Sequence, residues 1–192
     1  MNTEVTPAMV AEAKPDAVIV ATGSNPLVLP IPGINDTGVI HAGDLLDGKA
    51  AVGKKVLVVG GGMVGCEVAD FLGELGHEVS VIELRDQLGP DVIPEHRKFL
   101  MKDFEAYKVQ GVTGAKVAQF FTDGVSYTLA DGTEGRLEGF DNVVLAMGYR
   151  NNDTISEEIK KIVAETYVIG DAVKARKALD ATAEGLNAAL EI

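Results

Sequence analysis

The sequence predicts an α/β protein, a parallel sheet flanked by helices and carrying a small antiparallel β insertion. Three observations point there. Apolar runs of strand length at 16–21, 55–59, 78–83 and 142–146 alternate with longer stretches of helical spacing. The run at 55–59 opens into Gly60, Gly62 and Gly65 in G-x-G-x-x-G spacing, directly before a helical pattern. Between 116 and 137, Asp123-Gly124 and Asp131-Gly132 separate short alternating strands, which is a hairpin signal.

Taken in order, Thr6-Pro7 reads as an N-cap followed by proline at the first helical position, for a helix over 8–13 that Pro15 stops. Residues 16–21 form a buried strand ending at Thr22-Gly23. Asn25-Pro26, Pro30 and Pro32-Gly33 predict an irregular connection reaching about Gly48, because proline removes ladder donors. The strand at 55–59 leads into a helix over 63–75, with Val64, Val68, Phe71, Leu72 and Leu75 on one face and Gly76 just past its end. Residues 78–83 are the next strand, and Pro94 opens a helix to Tyr107 whose apolar side is Phe99, Leu100, Phe104 and Tyr107. The insertion's strands are expected at 116–121, 124–129 and 133–137. The strand at 142–146 ends at Met147-Gly148. A last strand at 167–169 leads into the turn Gly170-Asp171 and an alanine-rich helix over 176–191. Residues 18–23 and 143–148 repeat one pattern, a buried strand ending in a small-x-Gly turn. The repeat suggests two nucleotide-binding units, one interrupted by the other.

Composition narrows the function classes. At 192 residues the length permits one or two domains with a substantial core. The formal charge of −12 disfavours duplex nucleic acid and anionic membrane as partners, since phosphate neutralisation needs clustered cations. No apolar run approaches the length of a transmembrane helix. Residues 1–5 carry neither the basic nor the apolar region of a secretory signal, so a cytoplasmic location is expected. The single cysteine excludes an internal disulfide, a Cys-x-x-Cys pair and a cysteine zinc cage. His41, His77 and His96 show no metal-ligand spacing, so no metal site and no catalytic residue is expected. The run Glu157-Glu158-Ile159-Lys160-Lys161 reads as a solvated helix face.

The glycine loop carries the chemistry. Gly60 allows a tight turn off the strand, Gly62 lets a pyrophosphate approach the backbone, and Gly65 lets helix and strand pack closely. The helix N-terminus then offers free N–H groups to phosphates. Glu83 stands 23 positions beyond Gly60 at the end of the next strand. An acid there suits the hydroxyls of an adenosine ribose and repels a 2′-phosphate, which favours NADH over NADPH; Arg85 nearby pulls the other way. Asp171, between a strand and a helix, suits either a ribityl hydroxyl or an ordinary helix cap. Cys66, one residue past the loop, reads as a small core residue rather than a nucleophile.

Residues 16–26 (DAVIVATGSNP), Pro30-Ile31-Pro32-Gly33, the loop at 60–67, Glu83 and Val168-Ile169-Gly170-Asp171-Ala172 occur in the order seen in flavoprotein oxidoreductases with two dinucleotide-binding domains. Within that pyridine nucleotide-disulfide oxidoreductase-like superfamily, residues 167–192 most resemble the C-terminal region of the 2,4-dienoyl-CoA reductase and 2-enoate reductase group. The resemblance implies a Rossmann-like NAD(P)-binding domain at 51–149, inserted in a truncated FAD-binding domain formed by 1–50 and a return segment at 150–192. It implies that Gly60, Gly61, Gly62, Met63, Val64, Gly65, Glu83, Leu84 and Arg85 hold NADH, with Met147 and Gly148 near its nicotinamide half. Thr22 and Gly23 are expected to approach the flavin nucleotide, and Gly170 and Asp171 its ribityl chain. In the full-length enzymes hydride passes from NADH to FAD, and electrons continue through an iron–sulfur cluster to FMN in a barrel domain that reduces an activated C=C bond. No G-x-G-x-x-G precedes Asp16, and the cluster cysteines are absent. The chain is therefore expected to be a piece of a longer protein, lacking the flavin and barrel domains that would be its partners. Such a piece is expected to be inactive alone, without FAD of its own, and to self-associate. The alternative is a non-catalytic ADP-binding module, as in trimethylamine dehydrogenase-like proteins.

Overall fold

A computed structural model describes residues 2–35 and 38–192. The chain divides into two compact units, Val28–Gly148 and the pair of segments Met1–Leu27 and Tyr149–Ile192. In chain order the elements are α1 (Pro7–Ala13), β1 (Ala17–Val20), β2 (Ser24–Pro26), β3 (Val39–His41), α2 (Ala42–Leu46), β4 (Lys55–Val59) and α3 (Met63–Glu74). They continue with β5 (Glu78–Ile82), α4 (Pro94–Tyr107), β6 (Gln110–Val112), β7 (Ala115–Phe121), β8 (Gly124–Leu129), β9 (Glu134–Leu137) and β10 (Asn142–Leu145). The chain closes with β11 (Tyr149–Asn151), α5 (Ser156–Ile159), β12 (Glu165–Val168) and α6 (Ala178–Glu191).

The larger unit is built on a five-stranded parallel sheet in the order β3-β10-β4-β5-β6. Its strands are apolar on both faces because both faces are covered. Val56, Val58, Val79, Val81 and Val144 pack against Val68 and Leu72 of α3 and Phe104 of α4. Leu57, Val59, Ile82, Val143 and Leu145 point the other way and pack against Phe120 and Val125 of the antiparallel sheet β7-β8-β9. Each such fully buried side chain is worth roughly 1.5–3 kcal/mol relative to exposure. The chain runs from β4 out to β5 and β6, then returns to lay β10 on the other side of β4. The gap between β4 and β10 is thus a topological switch point, where open parallel sheets leave a crevice at the carboxyl ends of their strands.

In the smaller unit β1 and β12 form a parallel pair, and β2 and β11 an antiparallel one. Val10 of α1, Val20, Ile159 and Val163 make its core. Thr6 caps α1 through its hydroxyl, which accepts from the Met9 N–H at 3.4 Å. Among the described residues no helix is long and apolar enough to cross a membrane.

Several expectations need correction. The segment expected to be irregular to Gly48 contains β2, β3 and α2. Pro26 is tolerated in β2 because that strand pairs on one side only, so its missing N–H breaks no ladder. β3 joins the sheet beside β10, so the boundary expected at residue 50 falls inside the larger unit, which begins at Val28. On α3, Phe71 and Leu75 are exposed, and the buried face is Gly65, Cys66, Val68, Ala69, Leu72 and Gly73. Small residues prevail there because α4 presses close; a Cβ on Gly73 would stand 2.8 Å from the Tyr107 ring. Phe99 of α4 is likewise exposed.

Candidate functional site

The site lies at the carboxyl ends of β4 and β10. Val59 ends β4, and Ala146 donates its N–H to the Val59 carbonyl at 2.8 Å, which holds the two strand ends together. Gly60 turns the chain with φ +106, a conformation that favours glycine. A Cβ on Gly60 would overlap the Ala146 carbonyl. Gly62 is the N-cap of α3 and provides no capping side chain. Gly65 rests on the Gly60 carbonyl so closely that a Cβ would overlap its oxygen and stand 2.9 Å from its carbon. Helix α3 therefore starts directly behind the turn, with its first N–H groups facing the crevice end of the sheet.

A crevice of about 570 Å³ opens there. Of the residues expected to bind a dinucleotide, Gly60, Gly62, Met63, Val64, Glu83, Leu84, Arg85, Met147 and Gly148 line it. Gly61 and Gly65 stand behind this wall, Gly61 facing Leu88 and Glu83 and Gly65 facing the turn. The remaining walls are largely apolar, with Leu29, Ile31, Val59, Ile82 and Val117 among them. Leu29 and Ile31 belong to the segment expected to be a mere connection. Asp91 and Lys116 also line the crevice, and no motif singled them out.

Glu83 is 6% exposed and makes three hydrogen bonds. Its Oε2 accepts from the Gly61 N–H. Its Oε1 accepts from the Arg85 N–H and the Arg85 Nε, each at 2.9 Å. Burial alone would raise its pKa, but the Arg85 side chain and the two backbone N–H groups outweigh it and hold the carboxyl below the usual glutamate range. Four lone-pair positions serve a carboxylate, so one on Oε2 remains open, and release of the Arg85 guanidinium frees another. That suffices for a ribose diol.

Cys66 is fully buried on α3, its Sγ 3.3 Å from the Gly61 carbonyl oxygen. Burial, with the Asp91 and Glu83 carboxylates adding to it, pushes its pKa up to about 12. The thiol is thus a packing group, as the sequence suggests. A thiol reagent such as iodoacetamide should leave Cys66 unmodified in the native protein and alkylate it fully in denaturant, read by mass spectrometry.

Thr22, Gly23, Gly170 and Asp171 lie in the smaller unit. The Thr22 hydroxyl donates to the Asn152 carbonyl, and Gly23 accepts the Asn152 N–H at 2.9 Å. Asp171 accepts from the Ser24 hydroxyl at 3.0 Å and from the Arg176 N–H at 3.1 Å. The Gly170 N–H donates to Glu184 at 2.7 Å, and Glu184 pairs with Arg176 at 2.6 Å. These contacts tie the four residues to their own unit, and the Asp171 carboxylate keeps acceptor positions beyond the two in use. The residues at the glycine loop fit a dinucleotide.

Comparison with known proteins agrees with this geometry. The model of the pyridine nucleotide-disulphide oxidoreductase family matches residues 3–184. An NADH oxidase of Thermoanaerobacter brockii is 35% identical over 95% of this chain, and a cinnamate reductase of Clostridium sporogenes 29% identical over 91%. The chain spans only 29% and 26% of those relatives' length. A solved 2-naphthoyl-CoA reductase complex superposes over the whole chain, and 29% of its own, with a TM-score of 0.89 at 30% identity.

Proposed function

The chain belongs to the pyridine nucleotide-disulphide oxidoreductase family, a domain of flavin-dependent oxidoreductases, and on that premise we propose that it is the NADH-binding, electron-transfer part of such an enzyme. The observation that carries this is the crevice at the β4–β10 switch point, where the glycine loop, the start of α3 and Glu83 line one wall. Bound there, NADH supplies a hydride for a flavin. The chain's own residues bind and orient it. The Val64 and Gly65 N–H groups at the start of α3, and the Met63 N–H once Asp91 leaves it, are donors for a pyrophosphate, and Gly62 adds no side chain of its own to that approach. Glu83 takes the adenosine ribose and disfavours a 2′-phosphate, which supports NADH over NADPH. Met147 and Gly148, past the end of β10, serve the nicotinamide half, and the apolar walls keep water from the ring. The cinnamate reductase and 2-naphthoyl-CoA reductase names support reduction of an activated unsaturated bond as the final step in the longer protein.

One observation favours a second reading. The polar groups of the crevice serve the ADP half, which ADP alone also presents. In that reading the unit is a non-catalytic nucleotide-binding module. Calorimetric titration with NADH and with ADP separates the two. NADH is expected to bind at least about tenfold tighter, a difference of about 1.4 kcal/mol from its nicotinamide half. Equal affinities would leave the ADP module as the better account.

A further inference from the structure

Helix α3 has no anion of its own at its N-terminus. Its N-cap is Gly62, and its first turn carries no acid. An anion nevertheless sits there. Asp91 Oδ1 accepts from the Met63 N–H at 3.0 Å. A Cβ on Gly62 would stand 3.3 Å from Asp91 Oδ2, so the carboxylate lies over the glycine that leaves room for phosphate. Asp91 comes from the loop between β5 and α4, and its side chain is half exposed to the crevice.

That loop is held to the glycine turn. The Gly89 N–H donates to the Gly61 carbonyl at 2.7 Å. Leu88 is buried against Gly61, and its carbonyl accepts from Arg97 Nε at 2.7 Å. The backbone of the loop is thus pinned, while the Asp91 side chain stands half exposed. A cation waits beside it: Arg85 gives its Nε to Glu83 and keeps Nη2 toward Asp91 at 3.7 Å.

We propose that Asp91 is a built-in competitor for the dinucleotide's pyrophosphate, a carboxylate that caps α3 and must turn off the Met63 N–H before phosphate takes its place. Carboxylate and phosphate seek the same donor and the same positive helix end, and like charges within a few ångströms do not share it. The turn toward Arg85 gives the displaced carboxylate a partner. Asp91 then lowers affinity for every ligand that brings a phosphate, and leaves a phosphate-free nucleoside untouched. The identity of the ligand rests on the dinucleotide-binding function proposed above; the competition itself does not.

Wild-type protein, D91N and D91A are titrated at fixed ionic strength with NADH, ADP, inorganic pyrophosphate and adenosine. Melting curves check that the variants stay folded, as the exposure of Asp91 leads one to expect. Both variants should bind NADH and pyrophosphate about tenfold tighter, the scale of one partly screened charge repulsion, with adenosine unchanged. Unchanged or weaker binding of NADH and pyrophosphate in both variants overturns the proposal and makes Asp91 a simple helix cap or a ligand-holding group. Tighter pyrophosphate in the variants, with NADH no better than ADP, upholds the competition and sinks the electron-transfer reading. Failure of every protein to bind NADH or pyrophosphate overturns both.

Discussion

Replacing Gly65 with alanine should lower stability by about 3 kcal/mol, the upper part of the range for overpacking. For a chain of this size that is a melting midpoint lower by roughly 10 °C. The reason is local and steric. The added methyl would overlap the Gly60 carbonyl oxygen, and both atoms belong to backbone that two elements hold in place. Gly60 cannot retreat, since its N–H donates to the Ile82 carbonyl at 2.9 Å and its other side abuts Ala146. Relief comes only by lifting α3 off β4, which opens the contact between Val68, Leu72 and the sheet. The same shift moves the first N–H groups of α3, so dinucleotide affinity should fall with stability. Gly76→Ala makes the control. Gly76 has φ +82 but nothing within 4 Å of an added Cβ, so its cost should be only the left-handed strain of about 1 kcal/mol. Thermal denaturation followed by circular dichroism checks both; equal midpoints for the two variants would refute the steric argument.

Glu83→Gln should cost about 2–4 kcal/mol at neutral pH and abolish measurable NADH binding. Three N–H donors converge on the carboxylate in a site that is nearly closed to water. A glutamine keeps one acceptor oxygen and turns an amide toward donors, so at least one buried N–H loses its partner. The pH dependence follows from the same contacts. The folded-state pKa lies below the unfolded one, so the carboxylate's stabilisation is complete above the unfolded value of about 4.3 and is lost as pH falls through the folded value. The gap between wild type and variant should therefore be widest near pH 7 and shrink below about pH 4. Urea midpoints for both proteins across that window test this, and a gap that stays constant into acid would show that the charge of Glu83 contributes nothing.

The central segment was legible to within one residue. The strand at 55–59 is β4, and the helix predicted from residue 63 is α3, because an apolar run, a glycine signature and a helical period are all local signals. The insertion was legible for the same reason: its Asp-Gly turns fall between β7, β8 and β9. β2, β3, β6 and β11 were not, since each is three residues long. A strand that short has no period to read and exists only because a neighbour pairs with it. The buried face of α3 was misjudged for a related reason. Size favoured Phe71 and Leu75, whereas the close approach of α4 and the sheet selected Cys66, Ala69 and Gly73.

The candidate site divides along the same line. The sequence by itself determined the glycine turn, the helix that follows it and an acid at the next strand's end, since each depends on residues within one turn or one strand of its neighbours. Only the tertiary structure decided what Glu83 bonds to, that Leu29, Ile31 and Lys116 join it, and that Asp91 stands on the helix start. Those placements depend on how β10 returns beside β4 and how the loop after β5 is pinned to Gly61, and residues as far apart in the chain as Ile31, Glu83 and Lys116 meet only when the fold brings them together.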